Sequence, residues 1–102
     1  MIGIVDYAKQ KDLRSSYNSG NAMCYYGHSY RKYPESVNEG DGFKQGDLVE
    51  VEVNRASNSV KYFINGALKA QHTNQILADS SRIFMPYVDL YHTNDTVEWV
   101  PE

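Results

Sequence analysis

Residues 48–66 carry the pattern that most restricts the fold. Val49, Val51 and Val53 alternate with Glu50, Glu52 and Asn54, and Val60, Tyr62 and Ile64 repeat the alternation a few residues later. Successive side chains of a strand point to opposite faces, so a period of two gathers the valines on one face and the polar groups on the other. The first run, over residues 48–54, therefore predicts a strand with one buried and one wet face. The polar stretch 55–59 has the length of a hairpin turn, which makes the two runs antiparallel neighbours. Asn65-Gly66 follows at once, and this dipeptide supplies the two positive-φ residues of a type I′ turn, sending the chain back through residues 67–70.

The remaining apolar residues fall in short bursts separated by Gly, Asn, Asp and Ser, and none keeps a helical period for three turns. Residues 1–5 and 22–26 predict strands, with one of Tyr25 and Tyr26 facing the core. Residues 83–91 predict a late strand in which Pro86, lacking an amide donor, marks an edge or a bulge, with Val88 and Leu90 turned inward. Residues 96–100 alternate again, Val97 and Trp99 on one face, until Pro101 ends the run. Residues 9–20 and 34–46 are loops. With 102 residues and no internal repeat, the chain predicts a single all-β domain spanning 1–102, an antiparallel β-sandwich around one core.

Composition excludes several functions. Ten basic against thirteen acidic side chains give a formal charge of −3, so nothing draws the chain toward phosphate backbones or anionic lipid, and neither nucleic acid nor membrane is expected as a partner. The single cysteine, Cys24, permits no intrachain disulfide and fits a reducing compartment, cytoplasm or nucleus; in its apolar run it reads as a small core residue. The apolar opening stops at Asp6, too short for a signal peptide or a membrane span. The triplet Asn94-Asp95-Thr96 matches a glycosylation sequon but has no secretory context.

No chemistry assembles by spacing. His28, His72 and His92 stand singly, without metal-ligand spacing, and no cofactor is expected. Counting a calcium loop from Asn38 puts Gly40 and Gly42 where oxygen ligands belong. Gly27-His28-Ser29-Tyr30-Arg31 fails as a nucleophile elbow because Arg31 replaces the second glycine. The expectation is therefore a non-enzymatic protein. Six acidic residues between Glu35 and Glu52, against Lys44 alone, form the strongest charge bias; such runs usually face water, and a basic partner is the functional alternative.

Phe43-Lys44-Gln45-Gly46-Asp47-Leu48-Val49-Glu50-Val51, then Val60-Lys61-Tyr62-Phe63-Ile64-Asn65-Gly66, then Met85-Pro86-Tyr87-Val88-Asp89-Leu90 resembles the C-terminal part of a SPRY domain in order and spacing. Ile2-Gly3-Ile4 and Met23-Cys24-Tyr25-Tyr26 look like the family's middle strands. The resemblance implies a concanavalin-like jelly-roll sandwich, N-terminally incomplete because the strands that open a SPRY domain have no counterpart here. It implies a fragment, a divergent short form, or a subunit completed by another chain, with homo-oligomerisation through an unpaired sheet edge as one consequence.

The resemblance also implies a protein–protein interaction module that binds a short peptide or exposed loop through loops at one end of the sandwich, as in scaffolds and substrate-recruiting arms of ubiquitin ligases. By position, Tyr17 and Tyr91-His92-Thr93 match the contact loops, with Arg14 and Asn94 as polar groups at the rim. Tyr30 and Tyr33 also fall in or beside loops, where a rigid ring offers large contact area at small entropic cost. The alternatives are a carbohydrate-binding sandwich using the same exposed tyrosines, or a structural assembly subunit completed by strand exchange.

Overall fold

The computed structural model describes residues 1–8, 22–88 and 96–98. In chain order the strands are β1 (Ile2–Asp6), β2 (Ala22–Tyr25), β3 (Arg31–Tyr33), β4 (Val37–Asn38), β5 (Val49–Asn54), β6 (Ser59–Ile64), β7 (Ala67–Thr73) and β8 (Phe84–Val88), with a 3-10 turn at Gln75–Ala78 between the last two. They form two antiparallel sheets, one ordered β4-β3-β2-β1-β8 and the other β5-β6-β7. The fold is all-β, and among the described residues no helix is long and apolar enough to cross a membrane.

The valine-rich segment folds as its alternation requires. β5 and β6 pair without a break from Val49 opposite Ile64 to Asn54 opposite Ser59. Asn65 and Gly66 both take positive φ, 53° and 86°, so the two-residue turn into β7 has the backbone twist that matches the flanking strands. The Gly46-Asp47 turn that launches β5 is tied to this hairpin: the Asn65 side-chain amide donates to Asp47 Oδ1 at 3.0 Å, while its Oδ1 accepts from the Leu48 amide at 2.9 Å. Two short motifs that are separate in sequence thus brace each other.

The core lies between the sheets. Ile4, Met23 and Tyr25 from the larger sheet meet Val60, Tyr62 and Ala70 from the smaller one, and Leu77 of the 3-10 turn plugs one end. Of the two adjacent tyrosines expected to divide between core and surface, Tyr25 is the buried one and Tyr26 is intermediate. Cys24 is fully buried on the opposite face of the larger sheet, in a second cluster with Val5, Ala22 and Tyr87. Arg55, just past β5, closes the Leu77 end. Its guanidinium donates to the carbonyls of Leu77 and Arg82, each at 2.9 Å, and of Asp79, and lies over the Phe84 ring.

Several expectations need correction. β3 and β4 were not foreseen, and β4 lies inside the stretch expected to be a loop; both strands are too short to show a period. Val88 is 43% exposed and Tyr87 is the buried residue of β8. Register explains this: Val88 pairs with Ile2 on the inter-sheet face, but β8 is the outermost described strand, beyond the cover of a three-stranded partner. Thr96–98 is exposed and not a strand, with Val97 59% exposed, so the final alternating run does not form as expected over these residues. Pro86 does sit on a strand at the edge of the described sheet. Leu90, Trp99 and the loop expected at 9–20 lie outside the described residues.

Candidate functional site

The two flanks of the sandwich differ in how they are closed. On one flank β7 is stitched to the β3–β4 region by polar side chains. The Gln71 amide donates to Glu39 Oε2 at 2.7 Å, and Lys32 Nζ donates to the Gln71 carbonyl at 2.6 Å, so both backbone groups of that edge residue are occupied. Lys32 also pairs with Glu39 at 3.3 Å and Glu35 at 3.8 Å. Beside them His72, 1% exposed, places Nδ1 2.6 Å from Glu35 Oε2 and Nε2 2.9 Å from the Tyr62 hydroxyl. Tyr25 completes the latch by donating its hydroxyl proton to the Glu39 carbonyl and accepting from the Gly42 amide at 2.8 Å.

A carboxylate, an imidazole and a phenol in line resemble an acid–base relay, open to solvent at Glu35 and closed at its inner end. Tyr62 is fully buried and stacked on Tyr25, with ring centroids 5.2 Å apart. Burial pushes its phenol well above the ordinary value, so it stays protonated. In either charge state of the imidazole, Nδ1 carries a proton donated to Glu35. The arrangement ties β7 to the larger sheet. Sequence reasoning missed it because His72 and Glu35 are 37 residues apart and neither shows ligand spacing; it also assigned Glu35 and Glu39 to a solvated run.

The latch has a pH signature. Burial raises the Glu35 carboxyl, but the hydrogen bond and charge of His72, helped by Lys32, outweigh it and hold the group below its ordinary value of 4.5. A depressed carboxyl stabilises the fold above its unfolded pKa, and that contribution is lost as pH falls through the folded value. Urea midpoints measured from pH 6 downward are therefore expected to drop below about pH 4.5, and Glu35→Gln to flatten the drop. Asp47 and Asp79, also held low by hydrogen bonds from Asn65 and Ser81 respectively, leave a residual slope. An unchanged acid limb in the Gln variant would remove Glu35 from the latch.

Among the described residues the other flank lacks such closure. β5 is the outer strand of the small sheet, and Arg55 at its end reaches Phe84 of β8, so β5 and β8 share this flank. The valines expected to be buried are only partly so: Val49 and Val51 are intermediate and Val53 is 39% exposed, because their strand has no described neighbour on its outer side. Leu48, just before β5, is 54% exposed, and Val88 of β8 is 43% exposed. On the solvent face Glu50 and Glu52 are exposed, and Glu52 stands opposite Lys61 of β6.

The described edges can be compared by what protects them. β7 has its Gln71 groups capped and a register shift at Tyr62/Phe63, β8 carries Pro86, and β4 is two residues long. These are the devices by which proteins blunt sheet edges. β5 has six residues in unbroken register, no proline, and no inward-pointing charge. Among the described residues it is the regular edge without a block.

Two further places were weighed. An open cleft of about 340 Å³ is lined by His28, Asp41, Lys44, Asp47 and Lys69 among others. Its charges are largely spent internally, Asp41 on Lys69 at 3.5 Å and Asp47 on Asn65 and the Lys44 amide. The loop residues expected to bind a partner, Arg14, Tyr17, Tyr91, His92, Thr93 and Asn94, lie outside the described residues. Tyr30 is 41% exposed, whereas Tyr33 is half-buried and packs against the second apolar cluster. Comparison with family models, with curated proteins and with solved structures returned no match.

Proposed function

We propose that this protein is a non-catalytic protein–protein interaction module that takes up an extended peptide segment of a partner, and that its sandwich is of the SPRY-like jelly-roll type. The observation that carries the reading is the unequal closure of the two flanks. One is sealed by the Lys32–Glu35–Glu39–His72 latch, while the other presents a strand, β5, that is unblocked among the described residues and has half-exposed valines on its inner face. A peptide that adds to such an edge gains main-chain hydrogen bonds for affinity and alternate side-chain positions for selectivity. The direct contact between Gly46-Asp47 and Asn65-Gly66 supports the SPRY-like reading, since both motifs suggested it and both serve the same hairpin. The loop residues Tyr17 and Tyr91 belong to this proposal as contacts that such a module would use at its end.

Panning a random peptide library against the immobilised protein tests the reading. Enriched peptides are expected to alternate apolar and polar residues, and synthetic copies to shift the backbone amide resonances of β5. Shifts centred on residues 14–17 and 91–94 instead would move the site to the loops. A library that yields no specific binder, or binders confined to the His28 cleft, would overturn the proposal.

A further inference from the structure

Charge decides what kind of strand can lie on β5. Directly opposed residues of an antiparallel pair point to the same face, with Cβ atoms roughly 5 Å apart, and opposite charges there stabilise while like charges repel. An incoming segment must set apolar side chains beside Val49, Val51 and Val53, continuing the inner face, and its alternate residues then stand opposite or diagonal to Glu50 and Glu52. No described cation pairs with either glutamate across the free edge. On the bound side the protein already shows the preferred solution, with Lys61 of β6 opposite Glu52.

A second copy of the chain fits poorly. Antiparallel self-pairing about a two-fold axis matches valine face to valine face only when the numbers of opposed residues sum to an even value. Centred on Val51, that register sets Glu50 against Glu52 twice; centred on Glu50 or Glu52, it sets a glutamate against itself. In these central registers the polar face opposes like charges, so the alternation that invites a strand discourages self-association.

We propose that β5 is a strand-docking edge selective for an extended segment that alternates basic with aliphatic residues, its cations standing opposite Glu50 and Glu52. The proposal rests on the peptide-binding reading above and names the chemistry of the partner. It also gives a role to the acidic bias of residues 35–52: Glu35 and Glu39 are consumed by the latch, Asp41 and Asp47 have partners, and Glu50 and Glu52 stand exposed on β5 with no described residue across its outer edge.

The test uses five synthetic nine-residue probes kept monomeric at low concentration: alternating Lys/Val, Thr/Val and Glu/Val, and two Lys/Val probes N-methylated at alternate residues, one in each phase. Binding is read by titration and by the amide resonances of β5. The Lys/Val probe is expected to bind about tenfold or more tightly than Thr/Val, with Glu/Val weakest, and the preference to shrink as salt is raised. One phase of N-methylation is expected to abolish binding. In the double variant E50K/E52K, whose substituted side chains are exposed, the order is expected to invert, with the unfolding midpoint lowered modestly because the new cation at position 52 stands opposite Lys61 of β6. If Thr/Val binds as well as Lys/Val, or the order survives charge reversal, the basic-partner inference falls while strand docking stands. If neither phase of N-methylation matters, or no probe shifts β5, strand docking itself falls, and the peptide-binding reading must stand on its library result.

Discussion

Tyr62→Ala is expected to cost about 3–5 kcal/mol of unfolding free energy, the range for removing a large buried aromatic ring. A domain of this size has about 5–15 kcal/mol in total, so much of the population would approach the unfolded state under mild denaturant. The size of the effect follows from what Tyr62 joins. Its ring is fully buried in the smaller sheet, stacks on Tyr25 of the larger one and meets the edge of His72 at 5.3 Å between centroids. Tyr62→Phe separates the ring from the hydroxyl. It keeps the packing and strands His72 Nε2 without its partner, a loss expected at about 1–3 kcal/mol. Urea unfolding of the pair measures both; a Phe variant as unstable as the Ala variant would show that the hydroxyl, not the ring, holds the sheets together.

Gly3→Ala is the second large effect. Gly3 lies in β1, between two neighbouring strands, paired with Cys24 on one side and Tyr87 on the other. A Cβ built there would stand 2.0 Å from the Met23 carbonyl oxygen and 2.7 Å from the Cys24 Cα. Both are backbone atoms of the adjacent strand, so no side-chain rotation relieves the clash and β1 must move away from β2. Overpacking in a well-packed core typically costs about 1–3 kcal/mol, and here it falls at the upper end or beyond because the obstacle is main chain. Thermal unfolding is expected to show a midpoint lowered by roughly 10 °C or more, taking several degrees per kcal/mol for a chain of this length. A variant with an unchanged midpoint would mean that β1 and β2 are less tightly paired than their register indicates.

The alternation of valines and glutamates foretold β5 and its two faces, and Asn65-Gly66 foretold the turn into β7, because both are local: one depends on the period of side chains along a strand, the other on which residues tolerate positive φ. Pro86 likewise marked an edge strand through its missing donor. The latch was not legible. His72, Glu35, Lys32 and Glu39 read singly as a scattered histidine and a charged run, and only the stacking of β7 over the β3–β4 region converts them into a connected set. Val88 failed for a related reason: its face was correctly inward, but whether an inward face is covered depends on how far the opposite sheet extends.

Which of the described edges is open depends on the contacts of all the others. By itself the sequence determined an all-β chain, the β5–β6–β7 hairpins and the polarity of the two faces of β5 and β6, since these follow from nearest-neighbour backbone preferences. Only the tertiary structure decided that, among the described strands, β7 is capped and β5 is not, which is the observation behind the proposal that Glu50 and Glu52 select an incoming strand. Edge protection is a property of contacts between residues far apart in the chain, and local pattern carries no record of it.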